Sequence, residues 1–196
     1  MIPARELSFG QVNALLAPIY KGRVQYLQNH AHLESWDVRR MLNRIFGFAG
    51  WSLVETTPAQ CIVERPHKLS NGKDGVKVCY RAHLTLIIHT PTGDTSYAGS
   101  AVGEATQPEY NVGDAHDQAL KSAESGALKR AAQNLGDQFG LSLYNNGSLE
   151  PVVQRVLIGS PGVADPPLRP GETPTDDVPP SSVGDHSQPE SEYSNG

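Results

Sequence analysis

The feature that most constrains the fold is the alternation of apolar and polar residues in VKVCYRAHLTLIIH, residues 76–89. Successive side chains of a β-strand point to opposite faces of a sheet, so this period of two predicts a half-buried strand. Turn-forming segments, SNGKDG and PTGD, stand on either side of it. The flanking segments WSLVETTPAQCIVERPH and TSYAGSAVGEA should therefore pair with this strand in antiparallel fashion. We predict a three-stranded antiparallel β-meander with a bulge at Pro58.

Helical periodicity is present on both sides of the predicted sheet. LSFGQVNALLAPIY predicts a short helix that ends before Pro18, and LESWDVRRMLNRIFG predicts a second helix that stops at Gly47. A longer helix is predicted from about Ala115 to Phe139, with Asp114 as its N-cap. Its apolar side should pack across the sheet, and that side contains Leu120, Ala123, Ala127, Ala131 and Leu135. The predicted fold class is therefore α+β: a three-stranded meander packed against a long C-terminal helix, with short N-terminal helices.

Composition divides the chain near residue 150. Residues 151–196 are rich in Pro, Ser, Gly and Asp, and Tyr193 is their only aromatic residue. Such a segment cannot bury enough apolar surface to offset its ordering entropy, so we predict a disordered acidic tail after a folded domain of residues 1–150. The formal net charge of -5 lies entirely in this tail, because residues 1–150 hold 14 basic and 14 acidic residues. The overall charge therefore does not exclude a nucleic-acid partner.

The sequence lacks long apolar runs and closely spaced cysteine pairs. No apolar run approaches the roughly 18 residues that a membrane helix needs, and MIPARELSFG has no apolar signal-peptide core. We therefore expect a soluble, intracellular protein. Cys61 and Cys79 belong to no close pair or C-x-x-C motif, so we predict two small buried hydrophobic side chains and no disulfide framework or structural zinc site.

The polar side of the predicted long helix carries Lys121, Ser125 and Lys129 at intervals of four residues. One interval is about 6 Å along the helix, which is comparable with the distance between successive phosphates of an extended strand. Lysines and a hydroxyl at this spacing can contact a sugar-phosphate backbone without reading the bases. A solvated helix face is the more common meaning of such a pattern, so the residues alone leave both interpretations open.

A second basic cluster, Arg39, Arg40 and Arg44, lies on the earlier predicted helix. We predict surface charges that pair in part with Glu34 or Asp37, with a role in holding nucleic acid as the alternative.

No motif of the chain supports an enzymatic reaction. Nothing resembles a Walker loop, a serine-nucleophile elbow or a zinc-protease helix. The alternative from this class is a metal-dependent nuclease that uses Asp114, His116 and Asp117, although acids also suit the positive end of a helix. The H-x-H pair, His30 and His32, has no carboxylate at ligand spacing. We therefore predict no enzyme, no metal site and no cofactor.

Two segments resemble the motifs of a known family. NRIFGFAGW, residues 43–51, has the form N-x-x-F-G-x-x-G-W. ALKRAAQNLGDQFG, residues 127–140, has the form A/G-L-K-R-A-x-x-x-x-G-x-x-x-G. In this order, and with a predicted sheet between them, they resemble the single-strand annealing domain of the Rad52 family of recombination proteins over about residues 15–145.

The resemblance implies a function in homologous recombination and double-strand break repair. Members of this family bind single-stranded DNA and anneal complementary strands without ATP, as a homo-oligomeric ring with a basic groove around its outside. The expected location is the cytoplasm or nucleoid, or the nucleus of a eukaryotic cell. A recombinase or a single-strand-binding protein is the expected partner of the tail, and a purely solubilising tail is the alternative. A general single-stranded nucleic-acid-binding module without annealing activity also stays open.

The resemblance also implies particular DNA-binding residues. Lys129 and Arg130 match the family's Lys-Arg pair, which holds the DNA backbone in the inner groove. Lys121 matches a groove lysine, and Ser125 stands where the family commonly has a hydroxyl residue.

Two further positions match the family less closely. Arg23 lies near the family's arginine after a Y-x-x-x segment, and Lys73 resembles the hairpin lysine of a second, outer DNA site. Gln133 replaces a basic residue of the family, and EATQPEYNVGD lacks lysines that the outer site often has. These departures predict weaker capture of duplex DNA.

Overall fold

A computed structural model of the protein describes residues 7–27 and 30–156. Its helices are α1 (Phe9–Leu16), α2 (Ser35–Phe46) and α3 (Val112–Ala132), and its strands are β1 (Val24–Leu27), β2 (His30–Leu33), β3 (Trp51–Lys68), β4 (Asp74–Thr90) and β5 (Gly93–Pro108). The predicted disordered tail lies, from residue 157 onward, outside the described residues. The α+β class and the short N-terminal helices are confirmed, whereas the small antiparallel sheet of β1 and β2 was not predicted.

The larger sheet has the strand order β3-β4-β5, with both pairs antiparallel, which confirms the predicted meander. Alternate residues of β4 face the helices, and Val78, Leu86 and Ile88 are among its fully buried side chains. The register between β3 and β4 shifts twice between Glu55 and Gln60, around the proline where a bulge was predicted. The period-two pattern of β4 therefore places its apolar residues in the core, as expected.

Helix α3 packs closely against β4 and β5 through its alanines. Ala123, Ala127 and Ala131 are fully buried. A side chain at Gly99 of β5 would place its Cβ 2.1 Å from the carbonyl oxygen of Ala127, and one at Gly103 would place it 2.3 Å from the backbone nitrogen of Ala123. Small residues on both surfaces let the two backbones approach each other, and this contact fixes which side of α3 faces away from the sheet.

The ends of α3 differ from the prediction. The helix begins at Val112, and Asp114 lies in its first turn rather than at the N-cap, so that prediction was wrong. The helix ends at Ala132 and is followed by short 3₁₀ turns, before it would reach Phe139. The reason is Gly136, whose φ of 103° breaks the helical conformation.

The motif N-x-x-F-G-x-x-G-W forms the corner between α2 and β3. Gly47 ends α2 with a φ of 83°, a conformation that favours glycine. The side-chain oxygen of Asn43 accepts a hydrogen bond of 2.8 Å from the indole nitrogen of Trp51. A Cβ on Gly50 would lie 1.9 Å from the carbonyl oxygen of Phe46. The polar and glycine positions of the motif are therefore explained by the geometry of this corner.

The hydrophobic core lies between the helices and the inner face of the sheet, with Val38, Leu42, Leu128 and Phe139 fully buried in it. Cys79 is buried as predicted, but Cys61 is exposed. That prediction was wrong because α3 contacts β4 and β5 and leaves much of β3 in solvent. In the described part of the chain, no helix has the length and apolar character needed to span a membrane.

Candidate nucleic-acid interface

A cleft of about 910 Å³ runs along one side of α3. Its walls come from β1, β2, β5, α3 and the turns that follow α3. Ser122, Ser125, Lys129 and Gln133 follow one another along α3 at spacings of three or four residues. They lie beside the buried alanines, on the flank next to β5, where a Cβ at Gly103 would be 2.7 Å from the Cβ of Ser122. All four line the cleft. Two of the three predicted stripe residues, Ser125 and Lys129, therefore lie on one wall of a concave surface rather than on a convex solvated face.

The cleft is basic because its lining includes cations and no acidic residue. Lys129 is half-buried and has no ion-pair partner among the residues that the structure describes. Arg130 donates a hydrogen bond of 2.7 Å from Nη1 to the carbonyl oxygen of Ser100 on β5. This bond orients the guanidinium and uses one of its five N–H donors, so the others stay available for an anion.

Exposed aromatic rings and imidazoles complete the lining. Tyr26 of β1 is 61% exposed and Tyr144, in a 3₁₀ turn after α3, is 71% exposed. His30 and His32 of β2 also line the cleft. The combination of cations, hydroxyls and exposed rings is suited to a single-stranded nucleic acid, because phosphates bind cations and unpaired bases stack on aromatic side chains.

Three of the six predicted DNA-binding residues, Ser125, Lys129 and Arg130, are brought together in this cleft. Lys121 does not line it. Its ammonium lies 2.6 Å from Oδ2 of Asp117, one turn earlier on α3, and both side chains are exposed. An exposed pair of this kind is weak, so Lys121 is partly neutralised but not locked in place.

Arg23 lies in a different environment. Its side chain is 7% exposed, and Nε donates a hydrogen bond of 2.9 Å to the carboxylate of Asp37. The two terminal nitrogens donate to the side-chain and backbone oxygens of Gln138. The carboxylate of Asp37 also accepts from Arg40, as the helix spacing had suggested. Arg23 therefore joins the start of β1, α2 and the turns after α3 to one another.

Lys73 lies in the turn between β3 and β4 and is exposed, and it does not line the cleft. Its backbone nitrogen donates a hydrogen bond of 3.1 Å to the side chain of Asn71. The structure thus divides the predicted site residues into a cleft group, one neighbouring lysine, one buried arginine and one hairpin lysine.

Sequence reasoning missed the contribution of β1 and β2. The alternation of His30 and His32 places both on one face of a strand, and this signal was present in the H-x-H pair. Tyr26 and Tyr144 carried no comparable signal, because their approach to α3 depends on contacts between distant parts of the chain.

The residues proposed for a nuclease do not converge. Asp114 is exposed, Asp117 pairs with Lys121, and His116 faces Tyr80 and Glu64. Within residues 7–27 and 30–156, one group of three Cys, His, Asp or Glu side chains is close enough to share a metal ion. It includes His116 but neither Asp114 nor Asp117.

The family model for the Rad52/22 family of double-strand break repair proteins matches residues 11–155. The chain belongs to this family, which confirms the resemblance. It is 32% identical to the DNA repair and recombination protein RAD52 of Saccharomyces cerevisiae over 120 residues, which are 61% of this chain and 23% of that protein. It is 30% identical to the protein of the same description from Candida glabrata over 116 residues, 59% of this chain and 21% of that protein.

A third relative is the DNA repair and recombination protein rti1 of Schizosaccharomyces pombe, which is 28% identical over 136 residues, 68% of this chain and 33% of that protein. The matched region therefore spans between about a fifth and a third of the length of these relatives. The match includes both motifs, the cleft and the whole of the three-stranded sheet.

Proposed function

We propose that the protein binds single-stranded DNA in the cleft beside α3 and anneals complementary strands without ATP, in homologous recombination and double-strand break repair. The observation that carries this proposal is that the cleft gathers Ser125, Lys129 and Arg130 and has no acidic residue in its lining. Membership of a double-strand break repair family supports the same conclusion.

The cleft provides contacts for the backbone and for the bases of a strand. Ser125 and Lys129 are one helical turn apart, about 6 Å, so adjacent phosphates can reach both. Tyr26 and Tyr144 present exposed rings on which bases can stack without selection of sequence. Because none of these contacts recognises a base edge, sequence specificity is left to base pairing with the second strand.

Annealing follows from this arrangement if the pairing edges of the bound bases face outward. Neutralised phosphates lower the repulsion between two strands, and ordered bases can be tested by a complementary strand while the first strand stays bound. This step makes and breaks no covalent bond, so the proposal requires no nucleophile, metal or nucleotide. Binding rests on the local charge of the cleft, because residues 1–150 have no net charge.

The oligomeric state and the partners are part of the same proposal. We infer a homo-oligomeric ring, and the exposure of Phe48 and Tyr110, at 90% and 85%, supports a contact between subunits. We also infer that the tail binds a recombinase or a single-strand-binding protein. The expected location is wherever recombination occurs, in the nucleoid or the nucleus. Lys121, Arg23 and Lys73 stay predictions as DNA contacts. Of these three residues, Lys121 is the one on α3, the helix that also carries Ser125 and Lys129.

The decisive variant is Lys129→Ala combined with Arg130→Ala. Each charged contact to a phosphate contributes about 1.5–3 kcal/mol, so affinity for a fluorescent single-stranded oligonucleotide should fall by about 100-fold or more at low salt. Arg39→Ala with Arg44→Ala is the matched control, because it removes the same charge from exposed positions of α2. Fluorescence anisotropy measures binding, and circular dichroism checks that both variants are folded.

An ATP-free annealing assay with complementary oligonucleotides is run on the same proteins. We expect the wild type and the control to anneal the strands, and the Lys129→Ala, Arg130→Ala variant to have lost this activity. Binding without annealing by the wild type would favour a general single-stranded nucleic-acid-binding module. Wild-type affinity of the Lys129→Ala, Arg130→Ala variant would show that the cleft is not the binding site.

A further inference from the structure

A cluster of Cys61, Glu64 and His116 lies where β3 passes the first turns of α3. The Cys sulfur, a carboxylate oxygen and an imidazole nitrogen all lie within 4.8 Å of one another. His116 precedes Lys129 by 13 positions in α3, which is about 20 Å along the helix, so this cluster is separate from the cleft.

The register of the sheet places Cys61 and Glu64 on the same face. Strand residues three positions apart normally point to opposite faces. Here Cys61 pairs with Tyr80 and Glu64 pairs with Val78, and the register shifts between Cys61 and Val63. Tyr80 and Val78 are two positions apart on β4 and share a face, so their partners on β3 share it too. The bulge therefore aims a thiol and a carboxylate at the same point.

The imidazole of His116 is oriented toward this point from α3. Its Nε2 lies 3.5 Å from Oε2 of Glu64, and its Nδ1 lies 3.1 Å from the hydroxyl oxygen of Tyr80. The rings of Tyr80 and His116 also meet edge to face, with centroids 5.8 Å apart. If Nε2 binds a metal ion, Nδ1 carries the proton and donates it to Tyr80, which is the outer hydrogen bond that metal-binding histidines usually make.

The donor set selects the class of metal. A thiolate, an imidazole and a carboxylate suit Zn²⁺ and related divalent transition metals, whereas Mg²⁺ and Ca²⁺ prefer oxygen ligands alone. Ligand atoms around a tetrahedral Zn²⁺ are about 3.3–3.8 Å apart, from metal–ligand distances of about 2.0–2.3 Å. Glu64 already meets this spacing with His116, and Cys61 is exposed, so rotation of its side chain can close the remaining distance.

We propose that Cys61, Glu64 and His116 form a Zn²⁺-type site that joins β3 to the start of α3. On binding, the thiol of Cys61 loses its proton to solvent and the sulfur binds the metal, while the neutral imidazole and the carboxylate complete three protein ligands. The thiolate and the carboxylate together balance the charge of a divalent ion. A fourth position stays open to water.

Co²⁺ is the probe, because its thiolate complexes have a near-ultraviolet charge-transfer band and its tetrahedral complexes absorb in the visible. The full chain is reduced, freed of metal and titrated with Co²⁺. Wild type should show both bands at one equivalent. Cys61→Ser should remove the charge-transfer band, and His116→Gln should weaken binding by about 10- to 100-fold. Cys79→Ala and His67→Gln are matched controls, because they remove a cysteine and a histidine outside the cluster.

Thermal unfolding with Zn²⁺ gives a second readout. Zn²⁺ should raise the melting temperature of the wild type and of both controls but not of Cys61→Ser. The absence of a charge-transfer band in the wild type would overturn the proposal. So would a wild-type titration curve for His116→Gln, or an equal Zn²⁺ shift in Cys61→Ser.

Discussion

Two basic regions of the protein differ in whether a carboxylate faces the cations. Around Asp37, the guanidinium groups of Arg23 and Arg40 both donate to one carboxylate that is 2% exposed. At the end of α3, Lys129 and Arg130 line a cleft with no acidic residue in its lining. The side chains are chemically alike in the two regions. Their availability to a ligand differs most between Arg23 and Arg130. All three side-chain nitrogens of Arg23 donate to Asp37 or Gln138, whereas Arg130 uses one of its five N–H donors.

The position of carboxylates, rather than the number of cations, identifies the candidate site. Lys121 shows an intermediate case, since it pairs with Asp117 in solvent and keeps most of its exposure. Lys129, two turns further along α3, faces the cleft instead. The residues around each cation of α3 therefore decide whether that cation is available to a ligand.

The largest effect is expected from Asp37→Asn, which should lower the free energy of unfolding by about 3–5 kcal/mol. The change leaves Arg23, 7% exposed, without a compensating anion, and a buried ion pair that loses one partner is strongly destabilised. Urea unfolding followed by circular dichroism measures the change. Asp117→Asn is the matched control and should change stability by about 0.5 kcal/mol or less, because its pair is exposed.

Equal effects of these two variants would contradict the distinction between a buried and an exposed cation. Arg23→Met tests the same region from the other partner. We expect lower stability, because Asp37 and Gln138 lose the hydrogen bonds that Arg23 donates. An unchanged affinity of the folded variant for single-stranded DNA would count against Arg23 as a DNA contact. Lower affinity at unchanged stability would instead support the DNA contact that the family resemblance implies for Arg23.

A smaller effect is expected from Lys129→Gln on the salt dependence of DNA binding. Removal of one phosphate contact should lower the slope of log K against log salt by about 0.7 for a single strand, and weaken binding by about 1.5–3 kcal/mol at low salt. Lys121→Gln should change the slope less, because Asp117 already neutralises part of its charge. Anisotropy titrations at several salt concentrations measure both, and a larger change for Lys121→Gln would place the strand along a different part of α3.

The smallest effect is expected at the pair of half-buried Lys77 and exposed Glu104, whose charged atoms are 2.8 Å apart. The hydrogen bond from Lys77, and then its charge, lower the pKa of Glu104 below the ordinary value of 4.5. The pair therefore stabilises the fold fully above that ordinary value, and the contribution is lost as the pH falls through the lowered pKa. Glu104→Gln should slightly reduce the decrease in the free energy of unfolding that occurs as the pH is lowered. A large loss of stability at neutral pH would contradict the small contribution expected of this pair.

The parts of the fold that follow local periodicity were predicted from the sequence. The alternation in β4 predicted its buried face, and Gly47 predicted the end of α2. Predictions failed where burial depends on another element. Cys61 was expected to be buried, but much of β3 is left in solvent, and Asp114 was displaced from the N-cap because α3 begins earlier.

Part of the candidate site was also predicted from local periodicity. Ser125 and Lys129 share a helix face by spacing alone, so they could be grouped from the sequence. The sequence could not show that Arg23 lies outside this group, because its partners Asp37 and Gln138 are 14 and 115 positions away in the chain. His30, His32 and Tyr26 were missed as cleft residues because β1 and β2 were not predicted. Tyr144 was missed because the 3₁₀ turn that carries it was not predicted either.

The periods of two and 3.6, the glycine stops and the two family motifs could all be recognised in the amino-acid sequence, because each of these depends on residues close together in the chain. The availability of each cation, the side of α3 that forms a cleft and the approach of a thiol to an imidazole could not, because charge pairing and burial depend on distances through space. These distances exist only once the helix has packed against the sheet.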